Sequence, residues 1–188
     1  MNFIALFLSL LTGYIAPAPV LAKPVSEEKK AAKTEQIAWS ADRRLAWSDF
    51  KASPDTLNPH HALTAANLAV DAKCNANTFA YDVKCVFLAT ESWTKNTRSE
   101  KLLHHEQLHF DLTEVHARQL RKNLQALGTS CPDAKPRLAA VVNAAFADWK
   151  ADQEKFDEQS RHGLDAKVSE VWEQNIAKRL KQLEKFKS

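Results

Sequence analysis

The stretch "LLHHEQLHFDLTEVHARQL", Leu102 to Leu120, carries four of the chain's seven histidines, and His105-Glu106-Gln107-Leu108-His109 within it reads H-E-x-x-H. On a helix, residues four apart share a face with Cβ atoms about 5–6 Å apart. His105 and His109 can then both direct a ring nitrogen at one zinc ion, at about 2.0–2.1 Å. Glu106 sits about 100° further round. From there its carboxylate can take a proton from a water at the metal without being a ligand itself. That is the chemistry of metal-assisted hydrolysis of an amide, with a peptide or protein as the substrate. The plain alternative is a solvated helix face with scattered histidines.

Catalytic zinc needs a third protein ligand and one open position. Leu112 and Val115 stand where a longer H-E-x-x-H-x-x-G-x-x-H pattern would need Gly and His, so that pattern is absent. His116 shares the face but lies about 10 Å along the axis from His109. Glu114 falls on the opposite face, and Asp111 also points away. The third group must come from another element. "FDEQSRHGLD", Phe156 to Asp165, offers His162 beside Gly163, with Asp157, Glu158 and Glu154 as carboxylate alternatives. A lone histidine at a helix end also has a simpler role, its charge facing the helix dipole. His60 and His61, after Asn58-Pro59, read as loop residues.

The elements that must position these groups change along the chain. From Gln36 to about Lys95, "IAWS", "RLAWSDF", "ALTAANLAV", "TFAYDV" and "CVFLATESW" alternate apolar and polar residues as strands do. From Asn96 the period is helical. Thr97-Arg98-Ser99-Glu100 fits a capping box, and the helix it opens runs to Ala126 before Gly128. Asp133–Ser160 and Leu164–Phe186 each carry one apolar stripe, with Gly163 between them. The expected class is α+β: a small N-terminal antiparallel sheet on a C-terminal bundle of about three long helices.

The 188 residues suit one domain, expected over 36–188. A net charge of +3, with cations and acids interleaved, argues against a nucleic-acid partner. "MNFIALFLSLLTGYIAPAPVLA" has a short apolar run and Val20-Leu21-Ala22 before a cut, so 1–22 is expected to be a secretory signal and 23–35 a flexible leader. The mature protein is then periplasmic or extracellular, with no membrane span. Export permits disulfides. Of the three cysteines, Cys74 and Cys85 flank a hairpin-like segment, and a bridge between them is expected, leaving Cys131 in a loop.

Three segments together resemble a bacterial family, domain of unknown function 922, described as predicted secreted zinc-dependent proteases. "RRLAWSDFKASP" is similar to its R-x-L-x-W-x-D-F-K motif, and "HEQLHFDLTE" to its H-E-Q-x-H-F-D-x-x-E helix. "FDEQSRHGLD" is similar to its Y-D-x-x-T-x-H-G segment, and Ser92-Trp93 and Trp172 also fit. Phe156 stands where the family often has Tyr, and Ser160 where it has Thr. The resemblance implies a zincin-like active-site helix in a metallopeptidase domain, Glu106 as base, and His105, His109 and His162 as zinc ligands. The competing expectation is a non-catalytic periplasmic metal-binding or protein-interaction module.

Overall fold

The computed structural model describes residues 35–188. The expected signal, 1–22, and nearly all of the expected leader lie outside that range. The chain runs β1 (Gln36–Ala38), β2 (Ala62–Leu63), β3 (Ala66–Asn75), β4 (Thr78–Leu88), β5 (Trp93–Thr94), α1 (Glu100–Gln125), α2 (Cys131–Ser160) and α3 (Ala166–Gln182). The fold is α+β, a small antiparallel sheet followed by three helices. Strand order is β1-β4-β3, and β2 pairs with β5 as a separate two-stranded ladder. No helix among the described residues is long and apolar enough to cross a membrane.

The β3–β4 hairpin turns at Ala76 and Asn77, whose φ values of 43° and 70° are those of a tight two-residue turn. Its register pairs Cys74 with Phe79 and Leu68 with Cys85. Cys74 and Cys85 therefore sit six rungs apart, about 20 Å along the strands, and cannot bridge. Cys74 instead bonds to Cys131 at the start of α2, and Cys85 is a free, buried thiol. The expected Cys74–Cys85 pairing is overturned by that register.

Two other expectations change. "RLAWSDF" alternates as a strand does but holds a single 3₁₀ turn at Trp47–Asp49. Asp49 is the cause: its carboxylate accepts from the Ala46 amide at 2.9 Å and from Arg43 at 2.8 Å, curling the segment on itself. The α1 N-cap is Ser99 rather than Thr97, with its side chain accepting from Leu102 N at 3.1 Å.

α1 is the axle of the molecule. Phe110, Ala117, Leu120 and Leu124 bury against Leu68, Val83, Cys85 and Phe87 of the sheet. Leu108, Leu112 and Val115 bury against Phe156 of α2 and Trp172 and Ile176 of α3. A helix packed on both sides has few solvent positions, so its polar residues need partners. Glu114 lies away from His105 and His109, as expected, and is buried. It accepts from Arg118 at 2.9 Å and Arg121 at 3.0 Å, and these arginines also hold the carbonyls of Leu180 and Phe186.

Candidate metal centre

One row of α1 faces one row of α2. The α1 row is His105, His109 and Thr113; the α2 row is Trp149, Gln153 and Asp157. Each row advances by four residues, which keeps its members on one helix face. At one end of the paired rows, three side chains converge. His105 Nε2 lies 3.1 Å from Asp157 Oδ1, His109 Nε2 lies 3.0 Å from the same oxygen, and the two Nε2 atoms are 3.1 Å apart. These residues form the one group of three among the described residues whose ligand atoms could share a metal ion.

The donor set fits zinc. Two imidazoles and a carboxylate with an open fourth position make a known catalytic type, and tetrahedral bonds of about 2.0–2.1 Å would separate the ligand atoms by about 3.3 Å. The observed triangle needs only a few tenths of an ångström of expansion. Its electrostatics ask for positive charge at the centre. Burial works to raise the Asp157 carboxyl, but hydrogen bonds with His105 and His109 outweigh it and hold the group well below the ordinary carboxylate range. Burial also opposes a charge on His109, yet the bond to Asp157 and the nearby Asp157 and Glu106 charges leave its pKa raised. Burial prevails at His105, whose pKa is lowered.

Around the three residues the surroundings differ by side. Phe156 is fully buried and its ring centroid stands 4.7 Å from that of His105 and 4.8 Å from that of His109, an apolar backing where a tyrosine phenol is absent. Trp172 packs behind it at 5.3 Å. His109 Nδ1 meets Gln153 Oε1 at 2.6 Å, whereas His105 Nδ1 is buried without a hydrogen-bond partner. Glu106 is 4% exposed, and its carboxylate makes no hydrogen bond or ion pair with any described residue.

The C-terminus of α2 supplies the rest. Arg161 and His162 both hold φ of 53°, and Gly163 holds 76°. Left-handed backbone costs a side-chain-bearing residue on the order of 1–2 kcal/mol, so this turn stores strain beside the centre. It carries His162 past the helix end. His162 Nδ1 stands 3.3 Å from Asp157 Oδ1, its side chain is half exposed, and its ring faces His60 at 4.5 Å. His162 is outside the three-residue group, and the third corner is occupied by Asp157, one of the carboxylate alternatives. Glu158 and Glu154 face solvent.

His116 is away from the centre, as its position along α1 requires. It bonds Asp152 Oδ2 at 2.9 Å, as does Arg179 at 2.7 Å, in a cavity of about 770 Å³ between the three helices. A smaller cavity of about 140 Å³ borders His105 and Gly163.

Residues 44–163 match the model of the family described as bacterial protein of unknown function (DUF922). The chain belongs to this family. The match ends at Gly163 and so takes in His105, Glu106, His109, Gln153, Asp157 and His162. No curated protein and no solved structure matches the chain. Several residues of this DUF922 chain that resembled motif positions hold the fold rather than the centre. Gln107 accepts from Leu45 N at 2.7 Å and donates to Asp111 at 2.7 Å, and Asp111 accepts from Trp39 at 2.8 Å. Ser92 accepts from Ala65 N and donates to Leu88 O, both at 2.9 Å. Sequence reasoning missed Gln153. Its spacing of four before Asp157 was the available signal, and it gains meaning only once α2 is known to face α1.

Proposed function

We propose that the protein is an exported zinc-dependent peptidase or related amide hydrolase, with His105, His109 and Asp157 as ligands and Glu106 as general base. The observation that carries this reading is Glu106: a residue only 4% exposed, next in sequence to one ligand and three residues from the other, whose carboxylate makes no hydrogen bond or ion pair among the described residues. A carboxylate placed beside two imidazoles and engaged in no structural bond among the described residues is available to move a proton. A metal held only for stability needs no such group. On this reading α1 is a zincin-like active-site helix, and the substrate is a peptide or protein.

Zinc, when bound, supplies Lewis acidity that polarises a carbonyl and makes a water acidic near neutral pH. The chain's own groups do the rest. Glu106 takes a proton on its carboxylate from the attacking water and returns it to the leaving amine. His105, His109 and Asp157 hold the geometry, and Phe156 excludes water from behind the imidazoles. His162 stands half exposed beside Asp157. Export is supported by the apolar run of Ile4 to Leu11 and the small residues before Lys23.

The alternative is a non-catalytic periplasmic metal-binding module. It is favoured by one observation, a fourth candidate ligand in His162, whose Nδ1 stands 3.3 Å from Asp157 Oδ1 and could close the site. Glu106→Gln separates the two readings. The variant is expected to keep wild-type zinc content and to lose about 10²–10⁴-fold in peptide hydrolysis. Wild-type protein that carries zinc but cleaves no member of a diverse peptide library would favour the binding module. Hydrolysis undiminished in Glu106→Gln would overturn the mechanism.

A further inference from the structure

We infer that Gln153 is a positioning residue for the metal ligand His109, and that it acts by fixing which ring nitrogen carries the proton. Its functional meaning rests on the metal-centre reading, but the hydrogen-bond pattern belongs to the chain alone.

Thr113 Oγ1 donates its hydrogen to the His109 carbonyl at 2.9 Å. The indole of Trp149 can only donate, and it donates to Thr113 Oγ1 at 3.1 Å. Thr113 Oγ1 thus has one acceptor site left, and Gln153 Nε2 fills it at 3.0 Å. Gln153 Nε2 also donates to the His109 carbonyl at 3.0 Å. Turning the Gln153 amide over would set its oxygen against that carbonyl, acceptor against acceptor, and would leave Thr113 short of a donor. The amide orientation is therefore determined by its neighbours.

With Nε2 committed, Oε1 is the atom that meets His109 Nδ1 at 2.6 Å. An amide oxygen only accepts, so Nδ1 carries hydrogen. With Nδ1–H held by Gln153, Nε2 is the nitrogen left to give up its proton, and it then offers a lone pair in place of its hydrogen bond to Asp157. That is the nitrogen 3.0 Å from Asp157 Oδ1 and 3.1 Å from His105 Nε2. Gln153, Thr113 and Trp149 together present the lone pair to the centre and stop the ring from turning. His105 Nδ1 has no such partner, so the ordering falls on His109 alone. Partners of this kind typically contribute about 10–100-fold to metal affinity.

Gln153→Met and Gln153→Glu test this. Met keeps the length and packing and removes the hydrogen bonds. Glu keeps an acceptor for Nδ1–H. The first readout is the tautomer of the neutral His109 ring in metal-free protein, from nitrogen-15 NMR at a pH above its titration. Wild type and Gln153→Glu are expected to hold Nδ1–H, and Gln153→Met to show a mixture. The second is zinc affinity by competition with a chromophoric chelator, expected to fall about 10–100-fold in Gln153→Met and less in Gln153→Glu. Circular dichroism checks that each variant folds, and Thr113→Val, expected to show a weaker loss of the same kind, replaces Gln153→Met should that variant unfold. A wild-type His109 protonated on Nε2 rather than Nδ1 would overturn the inference. So would equal zinc affinity in wild type and Gln153→Met. Wild type that takes up no zinc would refute the metal reading instead, and the tautomer readout would still decide the role of Gln153.

Discussion

Gly163 lies so close to His105 that a Cβ on it would stand 2.9 Å from Cγ and 3.1 Å from Nδ1 of the ring. The glycine also holds φ of 76°, in the left-handed region. Two demands meet at one residue: the backbone conformation, and the absence of a side chain where the buried His105 ring sits.

Gly163→Ala is therefore expected to act on the metal centre as well as on the fold. Left-handed alanine and the contact with His105 together should lower the free energy of unfolding by about 2 kcal/mol. His105 must shift to make room, so zinc affinity should fall more than tenfold. Chelator competition and chemical denaturation measure the two effects. Wild-type affinity in the variant would show that His105 does not have to stay where it is.

Asp157 and His162 make opposite predictions at the third corner. Asp157→Ala removes the oxygen that both imidazoles share, at 3.0 and 3.1 Å, and is expected to abolish zinc retention through gel filtration. His162→Ala removes a half-exposed ring that pairs with Asp157, and is expected to keep most of the zinc while changing turnover. Metal content of the two purified variants decides between them, and loss confined to His162→Ala would return the third place to that histidine.

The Cys74–Cys131 bridge closes a separation of 57 residues and ties the tip of the β-hairpin to the start of α2. Chain-entropy arguments put a bridge of this span at about 4 kcal/mol. Cys74→Ala with Cys131→Ala should lower the melting temperature by more than about 8 °C. Alkylation of the denatured, unreduced protein should label Cys85 alone. A peptide map linking Cys74 to Cys85 would contradict the hairpin register.

Asp152 has its carboxyl depressed to about 2, first by the hydrogen bond from His116 and then by Arg179. A depressed acid stabilises the fold above its ordinary range and loses that contribution as pH falls from about 4 towards 2. Asp152→Asn is expected to cost about 1 kcal/mol at pH 7, after allowing for the partial exposure of the group. The difference from wild type should shrink below pH 4 and vanish near pH 2. Urea midpoints across pH 2–7 measure it, and a pH-independent difference would assign the effect to packing instead.

Much of this molecule was legible in the order of its residues. The α+β class, three long helices and the placement of His105, Glu106 and His109 on one helix follow from periodicity, which is a local property. A 3.6-residue pattern has the same meaning wherever the helix is docked. The faces of α1 were equally readable: Glu114 and His116 lie away from the centre because rise and turn per residue are fixed.

What tertiary structure alone decided are the relations between segments that no local pattern encodes. Asp157 was one acidic candidate among three, because which α2 residue meets His109 depends on where the two helices dock. That docking follows from how Leu108, Leu112, Phe156 and Trp172 fill a common core. The partner of Cys74 was misjudged because hairpin register, not proximity in sequence, decides which residues stand opposite. "RLAWSDF" misled because one side chain, Asp49, captured the backbone ahead of it. Gln153 could not be singled out at all, since its role exists only when Thr113, Trp149 and the His109 carbonyl surround it. Local periodicity is set by the geometry of a single segment, whereas the metal centre is set by packing between segments about 40–50 residues apart, and that packing is a cooperative property of the whole chain.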